Sequence, residues 1–294
     1  MPKLPKLKLL FETIPWKSFK CSKKQLRIDI VLKCGQSFRW EEEENKTSAL
    51  RTWTGVLQSK IWQIAQDDTS ILYKSLPLHI NLGTASSQLE DQDETFLKDY
   101  FQLEVDLEPL YAEWSKNDPV FQKISETFGG VRILRQDPVE NLFAFICSSN
   151  NNIQRISGMV QQLCTKYGEY IGDVDDKSYY AFPEISTLAN QKKLESELRS
   201  LGFGYRAGYI SKTAMKLDSL GGREYLLSLR CLPYAESRKC LLDLSGIGPK
   251  VSFTIFKKPR GKLFLCLYIQ VADCILLMSL DQHEAIPGNF SAKY

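Results

Sequence analysis

Leu244-Ser245-Gly246-Ile247-Gly248-Pro249-Lys250 closes an amphipathic run that begins at Ser237. Two glycines one residue apart, with Lys250 close behind, read as a helix ending in a tight glycine turn. That turn leads into a second element, with Lys250 at its start. Helix N-termini carry unsatisfied N–H donors and partial positive charge, so the site suits a phosphate. The same field favours the neutral, nucleophilic amine of a lysine held there. The shift required is large: from a pKa of about 10.4, roughly one lysine in a few thousand is neutral at pH 7. Taken alone, the stretch also reads as an ordinary helix–helix turn with a solvated lysine, and residues elsewhere must decide.

The 294 residues, 43% of them hydrophobic, suffice for a sizeable core and two domains. Net charge is only +3, but it is unevenly spread. Met1 to Arg39 holds ten Lys/Arg against Glu12 and Asp29, and Val251 to Gln270 holds four basic residues and no acid. The acidic runs Glu41–Glu44 and Glu90–Glu94 read as solvated loops. This pattern permits an anionic partner without demanding one. Eight cysteines without a CxxC pair, and only two histidines, argue against a zinc site, and no cofactor is expected. Several cysteines lie inside apolar runs, as buried free thiols do in a reducing compartment. The basic start Met1-Pro-Lys-Leu-Pro-Lys-Leu-Lys carries prolines that oppose an amphipathic targeting helix.

Going outward from the glycine turn, the patterning changes character along the chain. Leu26–Leu32 alternates, Thr52–Leu57 and Ile61–Ala65 look like a hairpin pair, and Ile71–Leu76 adds a strand. A polar stretch, Thr84 to Glu94, then gives way to helical spacing over Phe96–Phe101 and Leu107–Trp114. Asp118-Pro119 and Asp137-Pro138 are each an N-cap followed by proline at the first helical position. The second opens Val139–Cys147, apolar enough to be a buried helix. Ile153–Tyr167, Asn190–Leu201 and Arg223–Leu229 follow as amphipathic helices. The expected boundary separates residues 1–120 from residues 121–294.

Three further stretches can carry chemistry. Ser148-Ser149-Asn150-Asn151-Asn152 is poor for helix or strand and reads as a polar turn with an N-cap. Its amides, beside Arg155, can also replace hydrogen bonds lost when a base leaves a duplex stack. Gly202-Phe203-Gly204-Tyr205-Arg206 is a glycine-ended helix with an exposed loop, or a close-approach site with a stacking ring and a phosphate contact. Cys34-Gly35-Gln36-Ser37-Phe38-Arg39-Trp40 ends the alternating strand, as core with a surface charge or as a pocket wall in which Gly35 offers a bare carbonyl.

Gly35–Trp40, Arg135-Gln-Asp-Pro138, Phe145–Asn152, Gly204-Tyr-Arg-Ala207 and Gly246-Ile-Gly-Pro-Lys250, in this order, resemble the 8-oxoguanine DNA glycosylases of the helix-hairpin-helix superfamily. The resemblance runs from about residue 12 to Lys250 and resumes at Val271–Met278. It implies an α+β protein with a TATA-binding-protein-like N-terminal domain and an all-α hairpin-bearing domain. It also implies base excision repair of oxidised purines in double-stranded DNA, by a nuclear or mitochondrial monomer. By the same resemblance, Lys250 is the nucleophile that attacks the sugar C1′ and forms a Schiff base. Gly35 supplies the carbonyl that accepts the N7–H of 8-oxoguanine, one hydrogen bond whose loss leaves a buried partner unpaired at about 1–3 kcal/mol. Asn150 fills the gap left by the flipped base, Arg155 and Arg206 contact the orphaned cytosine, and Tyr205 is a wedge. Cys274, Met278 and Pro287 line the pocket.

Two departures from that family follow Lys250. Val251–Gln270 is inserted where the family's Val-Ala-Asp-Cys helix follows the lysine directly, and Pro259-Arg260-Gly261 within it breaks any continuous helix. After Pro287 the chain reads Gly288-Asn-Phe-Ser-Ala-Lys-Tyr294, with no carboxylate in the place of the family's essential aspartate. The expectation is an insertion-bearing, shortened form with an incomplete helical domain, the insert being a short intron retained in frame. Such a form either retains turnover or serves as a catalytically inactive DNA-binding or regulatory isoform. Leu263–Leu280 reaches the lower limit for a membrane span, but Asp273 near its middle is costly in lipid, and no stable membrane association is expected.

Overall fold

The computed structural model describes residues 13–43, 50–77, 87–174 and 177–248. A five-stranded antiparallel sheet forms from β1 (Lys17–Lys20), β2 (Glu41–Glu43), β3 (Thr52–Leu57), β4 (Lys60–Gln66) and β5 (Ser70–Pro77), ordered β1-β5-β4-β3-β2. The expected hairpin pairs Trp53 with Ile64 and Leu57 with Lys60. Its two-residue turn, Gln58-Ser59, takes φ of 47° and 55°, the left-handed pair that matches strand twist. Alternation then sorts the side chains. Trp53, Trp62, Ile64, Ile71 and Tyr73 face one core, and Val56, Ile61 and Leu76 face another.

Helices cover the first face: α1 (Ile28–Val31), α2 (Ser87–Tyr100), α3 (Leu107–Asn117) and α4 (Pro119–Thr127). Their Leu97, Tyr100, Leu107, Trp114 and Phe121 join the sheet's aromatics, and Phe101, Val131, Ile133 and Leu134 are among the residues that complete that cluster. The opposite face meets a small hairpin, β6 (Tyr170–Val174) and β7 (Lys177–Tyr180), through Ile171, Val174 and Ala181. The remaining helices are α5 (Pro138–Ser148), α6 (Ile153–Tyr167), α7 (Ile185–Ala189), α8 (Leu194–Ser200), α9 (Arg206–Leu220), α10 (Gly222–Leu229) and α11 (Tyr234–Leu242). They bury a second large cluster running from Val139 to Ile247 and joined by Phe38. Both expected proline caps form. Asp118 accepts from the Phe121 N–H, and Asp137 from those of Val139 and Glu140.

Several elements differ from the patterning. Leu26–Leu32 is not a strand: Ile28–Val31 is a short helix, buried at Ile28, Ile30 and Val31. The Gln66 side chain of β4 decides this, accepting from the Ile28 N–H and donating to the Leu26 carbonyl, which removes the need for a ladder. The acidic runs are not solvated loops. Glu41–Glu43 is an edge strand whose Glu43 accepts from Gln63, and Asp93 is a buried residue of α2 paired with Lys60 at 2.7 Å. Asn190–Leu201 is a helix only from Leu194, with α7 ending before it. Among the described residues, β1, the β6–β7 hairpin, α7 and α9 were not foreseen. No helix among them is long and apolar enough to cross a membrane, and none of their His, Cys, Asp and Glu side chains gather in threes as metal ligands. The run Leu263–Leu280 and the insert Val251–Gln270 lie outside the described residues.

Candidate nucleic-acid interface

The three asparagines after α5 divide the work of a turn. Asn152 caps α6, its Oδ1 accepting from the Arg155 N–H at 2.9 Å. Asn151 donates from Nδ2 to the Cys147 carbonyl at 2.9 Å. Asn150 takes the left-handed conformation (φ 48°), is exposed, and its amide side chain makes no hydrogen bond within the described residues. The polar-turn reading holds for Asn151 and Asn152, and Asn150 is left presented.

A second turn lies against the first. Gly202 and Gly204 hold φ of 86° and 59°, and Phe203 between them is fully buried, anchoring the loop. Arg155 reaches across to donate to the Gly202 carbonyl at 3.1 Å. Tyr205 is 47% exposed, yet its hydroxyl is fixed at 3.0 Å from both the Ser149 carbonyl and Ser149 Oγ. Arg206 lies 4.6 Å over the Tyr205 ring and is only 3% exposed. Its Nη2 donates to the carbonyls of Ser149 and Asn150, the latter at 3.0 Å. Buried beside it, the Cys147 thiol is pushed up to about 12 by desolvation, against the pull of Arg206, and stays neutral. Asn150, Arg155, Tyr205 and Arg206 thus occupy two touching turns. Arg206 is directed at the protein's own backbone and sets the carbonyls around Asn150.

Gly35 arrives at this place from the other end of the chain. It holds φ of 77°, and a Cβ there would lie 3.5 Å from Ile153 Cδ1, in the first turn of α6. Its neighbours fasten the loop. Gln36 donates to the Arg132 carbonyl at 2.8 Å and accepts from the Leu134 N–H at 3.1 Å, while Phe38 packs edge-on against Phe145 of α5. Arg39 is no surface charge. It is buried, donates to Glu140 at 3.2 Å and also bonds the Tyr180 carbonyl. The segment is an inter-core tie in which Gly35 lies against Ile153, the residue that follows the asparagine turn.

The glycine turn of residues 244–248 forms as expected up to Gly248. α11 ends at Leu242, and Gly246 turns the chain with φ of 80°. A Cβ at Gly246 would lie 2.8 Å from the Tyr209 ring, so glycine is required twice over. Thr213 donates to the Ser245 carbonyl at 2.8 Å, and Lys216 to the Asp243 carbonyl at 3.0 Å. Tyr209, Thr213 and Lys216 were missed because α9 was missed, although its apolar face, Ala207, Ile210, Ala214 and Leu217, carries the helical spacing. Lys250, Cys274, Met278 and Pro287 lie outside the described residues.

Residues 18–142 match the family model for the 8-oxoguanine DNA glycosylase N-terminal domain. The chain is 35% identical over 279 residues to the Arabidopsis thaliana N-glycosylase/DNA lyase OGG1, covering 94% of this chain and 66% of that protein. This chain belongs to the 8-oxoguanine DNA glycosylase family. It is also 34% identical over 278 residues to the Saccharomyces cerevisiae N-glycosylase/DNA lyase, covering 90% of this chain. The chain spans 66% of the length of each of these two curated relatives. The fold is similar to that of the Clostridium acetobutylicum 8-oxoguanine glycosylase/lyase bound to double-stranded DNA with cytosine opposite 8-oxoguanine. That match has a TM-score of 0.71 at 21% identity, over 92% of this chain and 98% of that one. A structure of MBOgg1 with a low-affinity DNA ligand matches with a TM-score of 0.73 at 23% identity, over 92% of this chain and 96% of that one. The mixed architecture, a small antiparallel sheet with helices, is that of the family's glycosylases.

Proposed function

We propose that this chain acts in base excision repair as a bifunctional N-glycosylase/AP lyase, removing 8-oxoguanine opposite cytosine from double-stranded DNA as a nuclear monomer. One observation carries the reading: Asn150 and Arg155 meet Tyr205 and Arg206, some fifty residues on, where two turns touch, and Gly35 lies against Ile153 of the adjoining helix. An exposed ring beside a presented amide and an exposed guanidinium is what a protein needs to open a base stack and bond the base left behind. In this reading the Asn150 amide enters the vacated space, Tyr205 wedges beside it and Arg155 bonds the orphaned cytosine. Arg206 positions Asn150, and the Gly35 carbonyl selects the oxidised base. Lys250, two residues beyond Gly248, is the nucleophile that forms the Schiff base. Cys274, Met278 and Pro287 line the base pocket. A TATA-binding-protein-like domain over residues 1–120 and a helix-hairpin-helix domain over 121–294 belong to the same proposal.

A second reading, a catalytically inactive DNA-binding or regulatory form, is favoured by the sequence after Lys250. There the insert separates the lysine from Val271–Met278, and no carboxylate follows Pro287 in the aspartate's place. Borohydride trapping on a duplex carrying 8-oxoguanine opposite cytosine, beside Lys250→Ala, separates the two. A trapped, lysine-dependent adduct supports the enzyme. Salt-dependent duplex binding without an adduct supports the inactive form, and loss of both refutes each.

A further inference from the structure

We propose that one stripe of α9 is a strut that fixes the distance between the Asn150 turn and the Ser245–Gly248 turn, with Tyr209 and Thr213 as its positioning residues. Arg206, Tyr209, Thr213 and Lys216 fall within an arc of about 80° at 3.6 residues per turn, and span about 15 Å of helix. Each touches the main chain of a turn. At one end, Arg206 donates to the carbonyls of Ser149 and Asn150. At the other, Thr213 donates to Ser245 at 2.8 Å and Lys216 to Asp243 at 3.0 Å. Between them the Tyr209 ring lies against Gly246 and packs edge-on against Tyr205, centroids 5.7 Å apart.

Ordinary helix packing does not require this arrangement. Thr213 is fully buried, and a helical threonine commonly returns its hydroxyl to a carbonyl of its own preceding turn. Here the hydroxyl crosses to a neighbouring turn and satisfies the Ser245 carbonyl, three residues past the end of α11. Gly246 has no room for a side chain because Tyr209 occupies the space, so ring and turn set each other's position. A stiff helix bonded to two turns holds them at one spacing, and reacting groups misplaced by about 1 Å can lose about a hundredfold in rate. The consequence for chemistry rests on the glycosylase reading, since Lys250 follows Gly248 by two residues; the strut itself does not.

The test uses the full chain and two readouts. In Thr213→Val, amide hydrogen exchange over residues 244–248 should accelerate about tenfold, the equivalent of losing one hydrogen bond, while that of α6 stays unchanged. Single-turnover excision on an 8-oxoguanine:cytosine duplex should fall about tenfold with duplex affinity within about twofold, and Thr213→Ser should restore both readouts. Tyr209→Leu, at a 39% exposed position, should act in the same direction and serves if Thr213→Val does not fold. Unchanged exchange at 244–248 overturns the strut, as does acceleration spread evenly over α5, α6 and α9. A wild-type chain that excises nothing counts against the glycosylase reading alone, because the exchange measurement still decides the strut.

Discussion

Arg132 and Arg206 are both buried arginines aimed at main-chain carbonyls, one in each large core, and they are used differently. Arg132 spends its whole fork on the fold. Nη1 donates to the Gln102 carbonyl at 2.6 Å, Nη2 to Gln25 Oε1 and the Val105 carbonyl at 2.7 Å each, and Nε to the Gln25 carbonyl. Arg206 bonds two carbonyls through Nη2, while its buried Nε finds no partner among the described residues. A buried donor left unpaired costs about 1–3 kcal/mol, so a fold keeps one only where something else requires the geometry. Here the requirement is visible: the carbonyls Arg206 holds belong to the turn that presents Asn150. The sheet-side core is closed by its arginine, and the helical core uses its own to set a surface.

The largest effect should follow from breaking the closed case. Arg132→Met leaves several buried acceptors without a donor and should lower unfolding free energy by about 3–5 kcal/mol, read from the urea midpoint. A loss under about 1 kcal/mol would mean that the two arginines do not differ as described. Arg206→Met also removes the unpaired Nε, so its cost should be smaller, about 1–2 kcal/mol. Its excision rate should nonetheless fall more than its stability accounts for, because Asn150 loses its left-handed turn. Equal loss of both would make Arg206 a second staple.

What could be read from the sequence divides along the same line. Caps, the β3–β4 hairpin and the buried α5 were legible because each rests on local rules: Asp-Pro pairs, period-two alternation and an unbroken apolar run. Leu26–Leu32 was misread because its helix is fixed by Gln66, nearly forty residues away, and four residues are too few for periodicity to speak. Arg39 was open to reading as a surface charge, since nothing local reveals a partner at Glu140. The glycine turn at Gly246 was legible, but its support from Tyr209 and Thr213 was not, because α9 begins inside a loop motif and its turn contacts are tertiary. Motif reading found the presented residues and, of those that hold them, Arg206 but not Tyr209 or Thr213.

A smaller, pH-dependent effect tests the tie between the cores. Burial pushes the Glu140 carboxyl above the usual carboxylate range, with Arg39 pulling the other way and losing. The folded state therefore holds that proton more tightly than the unfolded chain. Glu140's contribution is fully present below the unfolded pKa of about 4.3 and is lost as pH rises through the folded value. Glu140→Gln lacks the titration, so wild-type Tm minus variant Tm should shrink from about pH 4 toward neutrality. A difference that grows with pH would show that pairing with Arg39 outweighs burial.

The smallest change in stability should come from Arg155, and it sharpens the contrast between holding and presenting. Its guanidinium is exposed and bonds one carbonyl, that of Gly202. The cap of α6 uses its backbone N–H, which Arg155→Ala keeps. Unfolding free energy should therefore change by no more than about 0.5 kcal/mol. If the side chain bonds the orphaned cytosine, removing it should relax the preference for cytosine opposite the lesion by about 1–3 kcal/mol, roughly fivefold to 150-fold, in binding across the four opposite bases. A uniform weakening with a salt slope shallower by about one would instead assign Arg155 to a phosphate. Either outcome leaves the fold intact, whereas a large loss of stability would place Arg155 with Arg132 among the residues that hold the molecule together.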